Sequence, residues 1–595
     1  MMEFLRKARR EISFVKEIRR VLKVLTQLTP DSTVTIADEI EASVDREGSK
    51  PAFVFEGRDL SYADFDRRAN RIAHWALSQG LNPGDTVALM LENCPDYLAT
   101  WFGLSKVGVV SALINTNLQG EGLTHCLSIV DSKAIVAGGE QAGRVDDVLA
   151  HLPDGIALWD FDGRKGHAFE DALAAQPDTR PPASVRDGLN GQSTALFVYT
   201  SGTTGLPKAA RITQMRLRGM ARFALFLGKV ESGDRVYNAL PLYHSTGGLL
   251  GAGGALIFGA TTILRRKFSA SAFWDDVTDY RANKFVYIGE FCRYLLNADP
   301  HPKERAHQLV AGFGNGMRGE VWAPFVERFG VPHIHEFYGS TEGNVSFLNF
   351  DGTIGAIGRM PAWLEKRIPI AFVKFDVDKE EPVRGPEGFC IRTEVDEIGE
   401  ALGKIEDGGA SEFAGYHDKK ATEAKILTDV FEKGDRWFRT GDLLRRDAEG
   451  YVYFVDRIGD TFRWKGENVA TNEVSDAVSK YPGVGLANVY GVAVPGTDGR
   501  AGMVALTVND RFDMAGLAPH LAEHLPAYAI PLFLRIQSEA HTTGTMKFRK
   551  VDLVEDGFDT GRIEDPVWFL DPEAGSYVPL DDARLERLNT GGYRL

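Results

Sequence analysis

Apolar residues along this chain gather in short runs, separated by longer segments in which they recur every three or four positions. The runs at 86–91 (TVALML), 134–137 (AIVA), 195–199 (ALFVY), 235–239 (RVYNA) and 262–264 (TIL) predict short strands, and the periodic segment at 62–77 predicts an amphipathic helix. Strand and helix in alternation point to an α/β architecture built on largely parallel sheets. From 371 to 450 the pattern becomes rich in turns and leans toward strand. Residues 451–456 (YVYFVD) then lead into DRIGD, beyond which a helix at 472–481 and strands at 485–494 and 503–508 suffice for a separate small α+β domain. In this reading the chain consists of an N-terminal helix over 1–30, a large domain over 31–455 and a small domain over 456–595.

The N-terminal helix is basic and amphipathic. Leu5, Ala8, Ile12, Val15, Ile18, Leu22 and Leu25 recur at helical steps, ringed by Arg6, Lys7, Arg9, Arg10, Lys16, Arg19, Arg20 and Lys23. Such a helix suits the surface of an anionic bilayer, and equally suits packing on the protein body with a solvated basic face. The chain as a whole is acidic, with a formal net charge of −15, which disfavours nucleic acid as a partner. Residues 236–264 contain no Asp, Glu, Lys or Arg and are long enough to span a bilayer. Pro241, a dense set of glycines and the polar Asn238, His244, Ser245 and Thr246 predict a buried loop, helix and strand there instead. The four cysteines, Cys94, Cys126, Cys292 and Cys390, are far apart and lack metal-ligand spacing. They indicate neither a disulfide framework nor a zinc site, and a reducing cytosol fits them. No secretory signal is read at the N-terminus.

Chemistry enters at YTSGTTGLPK (199–208), which follows a predicted strand. A loop of serine, threonine and glycine presents backbone N–H groups and hydroxyls to an anion without crowding, and a lysine adds charge, so phosphate is the natural guest. It is not the GxxxxGK[ST] pattern, because counting from Gly202 puts Pro207 where the second glycine belongs.

Read with LPLYHSTGG (240–248), FYGSTEG (337–343), RTGDL (439–443) and FVDRIGDTFRWKGEN (454–468), the loop resembles the ordered signature set of the adenylate-forming superfamily. SALINTNLQGEGLTHCL (111–127), TTGTMKFRKVDL (542–553) and the tail DPVWFLDPEAGSYVPL (565–580) resemble, more closely, the fatty acid transport protein and very-long-chain acyl-CoA synthetase family. The resemblance implies a large N-terminal region of two α/β lobes plus a distorted β-barrel, joined to a smaller, mobile C-terminal α+β domain. It implies that a fatty carboxylate attacks the α-phosphorus of ATP, giving acyl-AMP and pyrophosphate, and that coenzyme A then displaces AMP. A carboxylic acid is already ionised at neutral pH, so the first step needs no general base.

The resemblance also implies roles for residues. Thr200, Ser201, Gly202, Thr203, Thr204 and Gly205 would wrap the β- and γ-phosphates, with Lys208 adding charge. Glu342 would ligate Mg²⁺ with Thr200 near it, and Thr341 would contact the α-phosphate. Tyr338 would stack on adenine, with Gly339 beside it and Gly314, Asn315 and Gly316 on the ring's other side. Asp442 would accept both ribose hydroxyls and Arg457 would sit near the nucleotide, with Gly459 at the hinge position, where many relatives carry Asp or Lys. Lys547 is the expected catalytic lysine of the first half-reaction; Met546 departs from the glycine that usually precedes it, and Arg549 and Lys550 stand close by as alternatives. Gly466 would leave a channel for pantetheine in the second half-reaction, and His244 falls at a gate beside the carboxylate or serves as a core histidine.

The apolar, glycine-rich stretch 247–258 is a candidate wall for the acyl chain, and core packing predicts the same composition. Three functions stay open at this stage. They are a fatty acyl-CoA ligase peripheral to the inner face of a membrane, a transporter moving fatty acid bodily across it, and an adenylating ligase for a bile, aromatic or amino acid or a carrier-protein acceptor.

Overall fold

The computed structural model describes residues 2–200, 206–365, 368–377, 379–406, 413–465, 467–495, 497, 499–539, 550–593 and 595. The apolar runs are strands of two largely parallel sheets. One is ordered Ser346–Asn349, His333–Gly339, Ala311–Asn315, Lys284–Ile288, Arg235–Asn238, Thr261–Leu264, Pro51–Phe55, Arg58–Ser61, and only its two edge strands run antiparallel to their neighbours. The other is ordered His167–Ala168, Ala157–Asp160, Ser132–Ala137, Thr86–Met90, Val110–Leu113, Thr194–Thr200, Lys208–Thr213 and is parallel up to its last pair. Thr86–Met90 and Val110–Leu113 are buried at every position. Parallel strands lie under helices on both faces, which is why they read as unbroken apolar runs rather than alternating ones.

Helix Tyr62–Ser78 starts where the Ser61 side chain accepts from the Asp64 N–H, and it buries Phe65, Ala69, Ile72, Trp75 and Ala76 at the steps its sequence shows. The uncharged stretch resolves as expected into the strand Arg235–Asn238, the helical turns Ser245–Ala252 and Gly253–Phe258, and the strand Thr261–Leu264. Among the described residues no helix is long and apolar enough to cross a membrane.

Residues Met2–Leu25 form one helix. Phe14 and Val21 are buried, and Phe14 meets the ring of Phe350 edge-on at 6.0 Å with the Arg359 guanidinium over its face. Arg359 also pairs with Glu11. Phe14 and Val21 thus commit one side of this helix to the protein, and the side left in solvent carries Arg9, Lys16, Arg19, Arg20 and Lys23 with Ile12 and Leu22, 71% and 53% exposed.

Contacts divide the chain into two compact units. One comprises Met1–Arg359, Gly403–Thr428 and Asp435–Phe438, and the other Met360–Leu402, Asp429–Gly434 and Arg439–Leu595. The second unit holds most of a sheet ordered Tyr451–Arg457, Arg436–Arg446, Ile398–Lys404, Ile370–Asp376, Glu381–Pro382. It also holds a five-stranded sheet from Val484–Ala493 to Ser576–Pro579 covered by helices such as Thr471–Ser479 and Met514–His524. Asp456, buried at the end of Tyr451–Arg457, accepts from the backbone N–H and hydroxyl of Thr471 and so caps the helix Thr471–Ser479. The mixed α/β class, with a large N-terminal region and a smaller α+β region at the C-terminus, is as the sequence led us to expect.

Candidate active site

In the first unit, three segments far apart in sequence converge on the mouth of the hairpin Thr194–Thr200 and Lys208–Thr213. Thr200 and Lys208 are paired across that mouth, flanking residues 201–207 in sequence. The first converging segment is Tyr416. It is bridged to Ala210 by backbone pairing, with Arg211 donating to the Gly415 carbonyl at 3.2 Å and His417 donating to the Ala209 carbonyl at 3.0 Å. Its ring lies 5.8 Å from the Lys208 ammonium, and its hydroxyl, with Thr200 beside it, donates to Glu342 Oε1 at 2.7 Å. Burial and the facing Glu342 carboxylate push this phenol well above its ordinary pKa, so it remains a donor throughout the neutral range.

The second segment is the turn at 340–343. Gly343 donates to the Ser340 hydroxyl at 2.9 Å, and a side chain at Gly343 would collide with that hydroxyl and with the Phe438 ring. The carbonyls of the turn face inward and are gathered by one guanidinium. Arg216 donates to Thr341 at 2.7 Å, to Ser340 at 3.0 Å and to Gly343 at 2.6 Å. Burial pulls the Arg216 pKa down to about 10 while the nearby Glu342 carboxylate opposes the shift, so the guanidinium stays charged at neutral pH.

The third segment is the loop 240–248. Asn93 and Asn238, both buried, staple it. Asn93 donates to the Leu240 carbonyl at 2.8 Å and accepts from Leu242 N at 2.9 Å, and Asn238 donates to the Gly247 carbonyl at 2.8 Å. Ser245 Oγ then lies 2.8 Å from Thr341 Oγ1, and Thr246 donates to Asn315 Oδ1 at 3.1 Å. His244 is half-buried at the head of the helical turns, with its ring 4.9 Å from that of Tyr243.

Of the residues singled out in the sequence, the structure brings together Thr200, Lys208, Asn315, Thr341 and Glu342. Gly314 and Gly316 lie at the end of Ala311–Asn315 and just past it, while Tyr338 and Gly339 end the neighbouring strand, Tyr338 opposite Phe347. Asp442 and Arg457 belong to the second unit and face one another across Arg436–Arg446 and Tyr451–Arg457, with Nε and Oδ1 3.9 Å apart. Gly459 follows with φ +90, a conformation glycine adopts without strain. Ser201, Gly202, Thr203, Thr204, Gly205, Gly466, Met546, Lys547 and Arg549 lie outside the described residues. Lys550 donates to Asp460 Oδ2 and to Thr471 Oγ1, both at 3.0 Å.

Sequence reasoning did not single out Tyr416 or Arg216. Arg216 shares the helix Gln214–Leu227 with Arg218 and Arg222 and by its spacing reads as one more solvated cation, and nothing local marks Tyr416, whose partner Glu342 is 74 positions away. Within the glycine stretch, Gly247 and Gly248 serve close packing. A side chain at Gly247 would meet the Pro241 carbonyl at 2.6 Å and one at Gly248 the Leu242 carbonyl at 2.0 Å, so these glycines let the loop fold onto its own backbone.

The donors gathered here are hard oxygens. Glu342 and Thr200 both reach the Tyr416 hydroxyl, which occupies only one oxygen of the carboxylate. That set suits a divalent cation such as Mg²⁺ that takes most of its ligands from phosphate and water. Among the described residues no group of three or more His, Cys, Asp or Glu forms a protein-only metal cage.

A family model for AMP-binding enzymes matches residues 40–386. Over 557 residues the chain is 42% identical to long-chain fatty acid transport protein 6 of Mus musculus, covering 92% of this chain and 89% of that one. It is 43% identical to long-chain fatty acid transport protein 2 of Rattus norvegicus over 547 residues, covering 90% and 87%. Among solved structures it resembles ATP-bound MatB from Rhodopseudomonas palustris with a TM-score of 0.72 at 23% identity, over 88% of this chain and 99% of that one. The protein belongs to the AMP-binding enzyme family and, within it, to the long-chain fatty acid transport proteins.

Proposed function

We propose that this chain is a long-chain or very-long-chain fatty acid–CoA ligase that forms AMP. The observation that carries it is the convergence of Thr200, Lys208, Glu342 and Thr341 on one place, built on a chain 42% identical to a fatty acid transport protein. In the first half-reaction a carboxylate oxygen bonds to the α-phosphorus of ATP and the bond to pyrophosphate breaks. In the second, the thiol sulfur of CoA bonds to the acyl carbon, AMP leaves, and the thiol proton passes to solvent.

The protein's task is to align two anions that repel one another and to neutralise the charge between them. Lys208 and the hydroxyl-rich loop beginning at Thr200 would take the β- and γ-phosphates, and Thr341, steadied by Ser245, the α-phosphate. Glu342 and Thr200 would hold Mg²⁺, which when bound shields phosphate charge. Tyr416 fixes the Glu342 carboxylate, and Arg216 fixes the turn that carries it. Tyr338, Gly339 and Gly314–Gly316 would enclose the base, with Asp442 on the ribose. Lys547 and Gly466, in a functional small domain beginning at Asp456, would serve the first and second half-reactions in turn.

The test is a panel of carboxylic acids offered to purified, detergent-washed protein with ATP, CoA and magnesium. Long-chain fatty acids should yield thioester with AMP and pyrophosphate released one to one. Fatty acid moved into vesicles without ATP cleavage would favour the bodily transporter, and turnover confined to aromatic or bile acids would change the substrate.

We further propose that the chain works at an anionic membrane surface through the outward face of Met2–Leu25. Each basic side chain near such a surface contributes about 1 kcal/mol, and Phe14 and Val21 hold the helix to the protein so that this face points outward. Reversing Arg9, Lys16, Arg19, Arg20 and Lys23 to glutamate should abolish sedimentation with phosphatidylserine vesicles and leave the melting temperature within a few degrees. Unaltered sedimentation would dismiss this role.

A further inference from the structure

Beneath the segment Gly314–Gly316 lies a carboxyl group that the chemistry described so far does not use. The strands Lys284–Ile288, Ala311–Asn315 and His333–Gly339 are adjacent and parallel, and their register sets Tyr287, Gly314 and Glu336 side by side in one row. The middle member has no side chain, and one placed there would meet the Tyr287 carbonyl at 2.0 Å. Tyr287 and Glu336 therefore reach over the glycine and meet, the phenol hydroxyl lying 2.6 Å from Glu336 Oε2. The other oxygen, Oε1, accepts from the backbone N–H of Gly316 and from that of Met317 at 3.2 Å, just where the chain leaves the strand with Gly316 at φ +83.

Glu336 is only 1% exposed, so among the described residues these partners stand in place of water. A buried donor or acceptor left without a partner is costly, which means the carboxyl and the turn above it fix one another. We propose that Glu336 is a positioning residue for nucleotide binding, setting the backbone of Gly316 and Met317 and through it the segment that faces the base. The inference rests on the proposed placement of adenine beside Gly314–Gly316.

The setting of the carboxyl adds a pH dependence. The titratable groups that face it are Tyr287 on the next strand but one and Cys292 on the helix Gly289–Asn297, the latter flanked by Glu290, and burial pushes both the phenol and the thiol up. No cation among these neighbours favours the charged carboxylate, and burial raises the Glu336 pKa to about 8. Below that pH the carboxyl is neutral, and its O–H can be given to Tyr287, whose own hydroxyl lies 3.1 Å from the His335 carbonyl as an alternative acceptor. Above it a negative charge stands beneath a site that must take a polyanion. Glutamine reproduces the neutral pattern, with its oxygen under the two N–H groups and its amide toward Tyr287, whereas leucine leaves the Gly316 and Met317 N–H groups without that acceptor and Tyr287 with only the His335 carbonyl.

The experiment compares full-length wild type, Glu336→Gln and Glu336→Leu for the KM of ATP, fatty acid and CoA between pH 6.5 and 9.5. Hydrogen exchange of the peptide spanning Gly316 and Met317 is followed in parallel. Glu336→Gln should keep the neutral-pH KM for ATP within about two-fold and lose the rise that wild type shows above pH 8. Glu336→Leu should raise the KM for ATP about 10- to 100-fold, leave the other two within a few-fold, and speed exchange at the turn. Glutamine failing to rescue, or exchange at the turn unchanged in Glu336→Leu, would overturn the inference. Faster exchange with an unaltered KM for ATP would instead overturn the placement of the base. Should Glu336→Leu not fold, the Glu336→Gln pH profile decides alone, and a rise in KM for ATP that persists in it would overturn the inference.

Discussion

Lys547→Ala should lose the adenylation half-reaction by about 10²- to 10³-fold and still make thioester from supplied acyl-AMP within a few-fold of wild type. The reason lies in when charge is needed. In the first step an ionised acid approaches an ionised phosphate, and negative charge concentrates on the oxygens around the α-phosphorus. In the second step the phosphate leaves as AMP from a centre that is already activated, so the same ammonium has less to offset. Lys550, the neighbouring alternative, has its ammonium bound to Asp460 and Thr471, and so it ties the small domain together at the end of the strand Tyr451–Arg457. Single-turnover assays of each half-reaction check the split, and Lys550→Ala should show no such selectivity. Equal loss of both halves in Lys547→Ala would refute the role.

Glu342→Gln should raise the magnesium concentration needed for half-maximal rate by about 100-fold while leaving fold and fatty acid affinity intact. The structure makes glutamine the informative change. Tyr416 donates to Glu342 Oε1, and an amide oxygen accepts that hydrogen bond as well as a carboxylate oxygen does. The Ser340–Gly343 turn keeps its three hydrogen bonds from Arg216, which go to backbone carbonyls. What glutamine removes is the negative charge that a hard cation requires. A magnesium titration of ATP-dependent thioester formation measures this directly, and an unshifted curve would take Glu342 out of the metal site.

Much of the fold is legible in the residues themselves. Parallel strands such as Thr86–Met90 and Ser132–Ala137 lie between helices and carry unbroken apolar runs at 87–90 and 134–137, so they stand out, and Tyr62–Ser78 announces itself through its spacing. The candidate site is legible where one short segment carries the proposed chemistry, as with Thr200 and Lys208 or Ser340 to Gly343. It is not legible where chemistry depends on segments meeting in space. Tyr416 and Arg216 act on the Ser340–Gly343 turn from 74 and 125 positions away, and Glu336 reaches Tyr287 across a row of strands that only the register reveals. At 247–258 composition leaves an acyl wall and core packing both open, and at Gly247 and Gly248 the structure shows backbone lying against backbone. The N-terminal helix shows a milder form of the same limit, because its spacing gives the amphipathic pattern but not that Phe14 and Val21 face the protein and the cations face out.

In the proposed reaction a nucleoside triphosphate is held between Thr200, Lys208 and Glu342 so that a fatty carboxylate can attack it. It is tested most directly by exchange of labelled pyrophosphate into ATP, catalysed by the purified full-length chain with magnesium present and CoA withheld. Exchange should require a long-chain fatty acid and vanish without one. Exchange that proceeds equally well with no acid, or no exchange from protein that nonetheless carries fatty acid into vesicles, would contradict it.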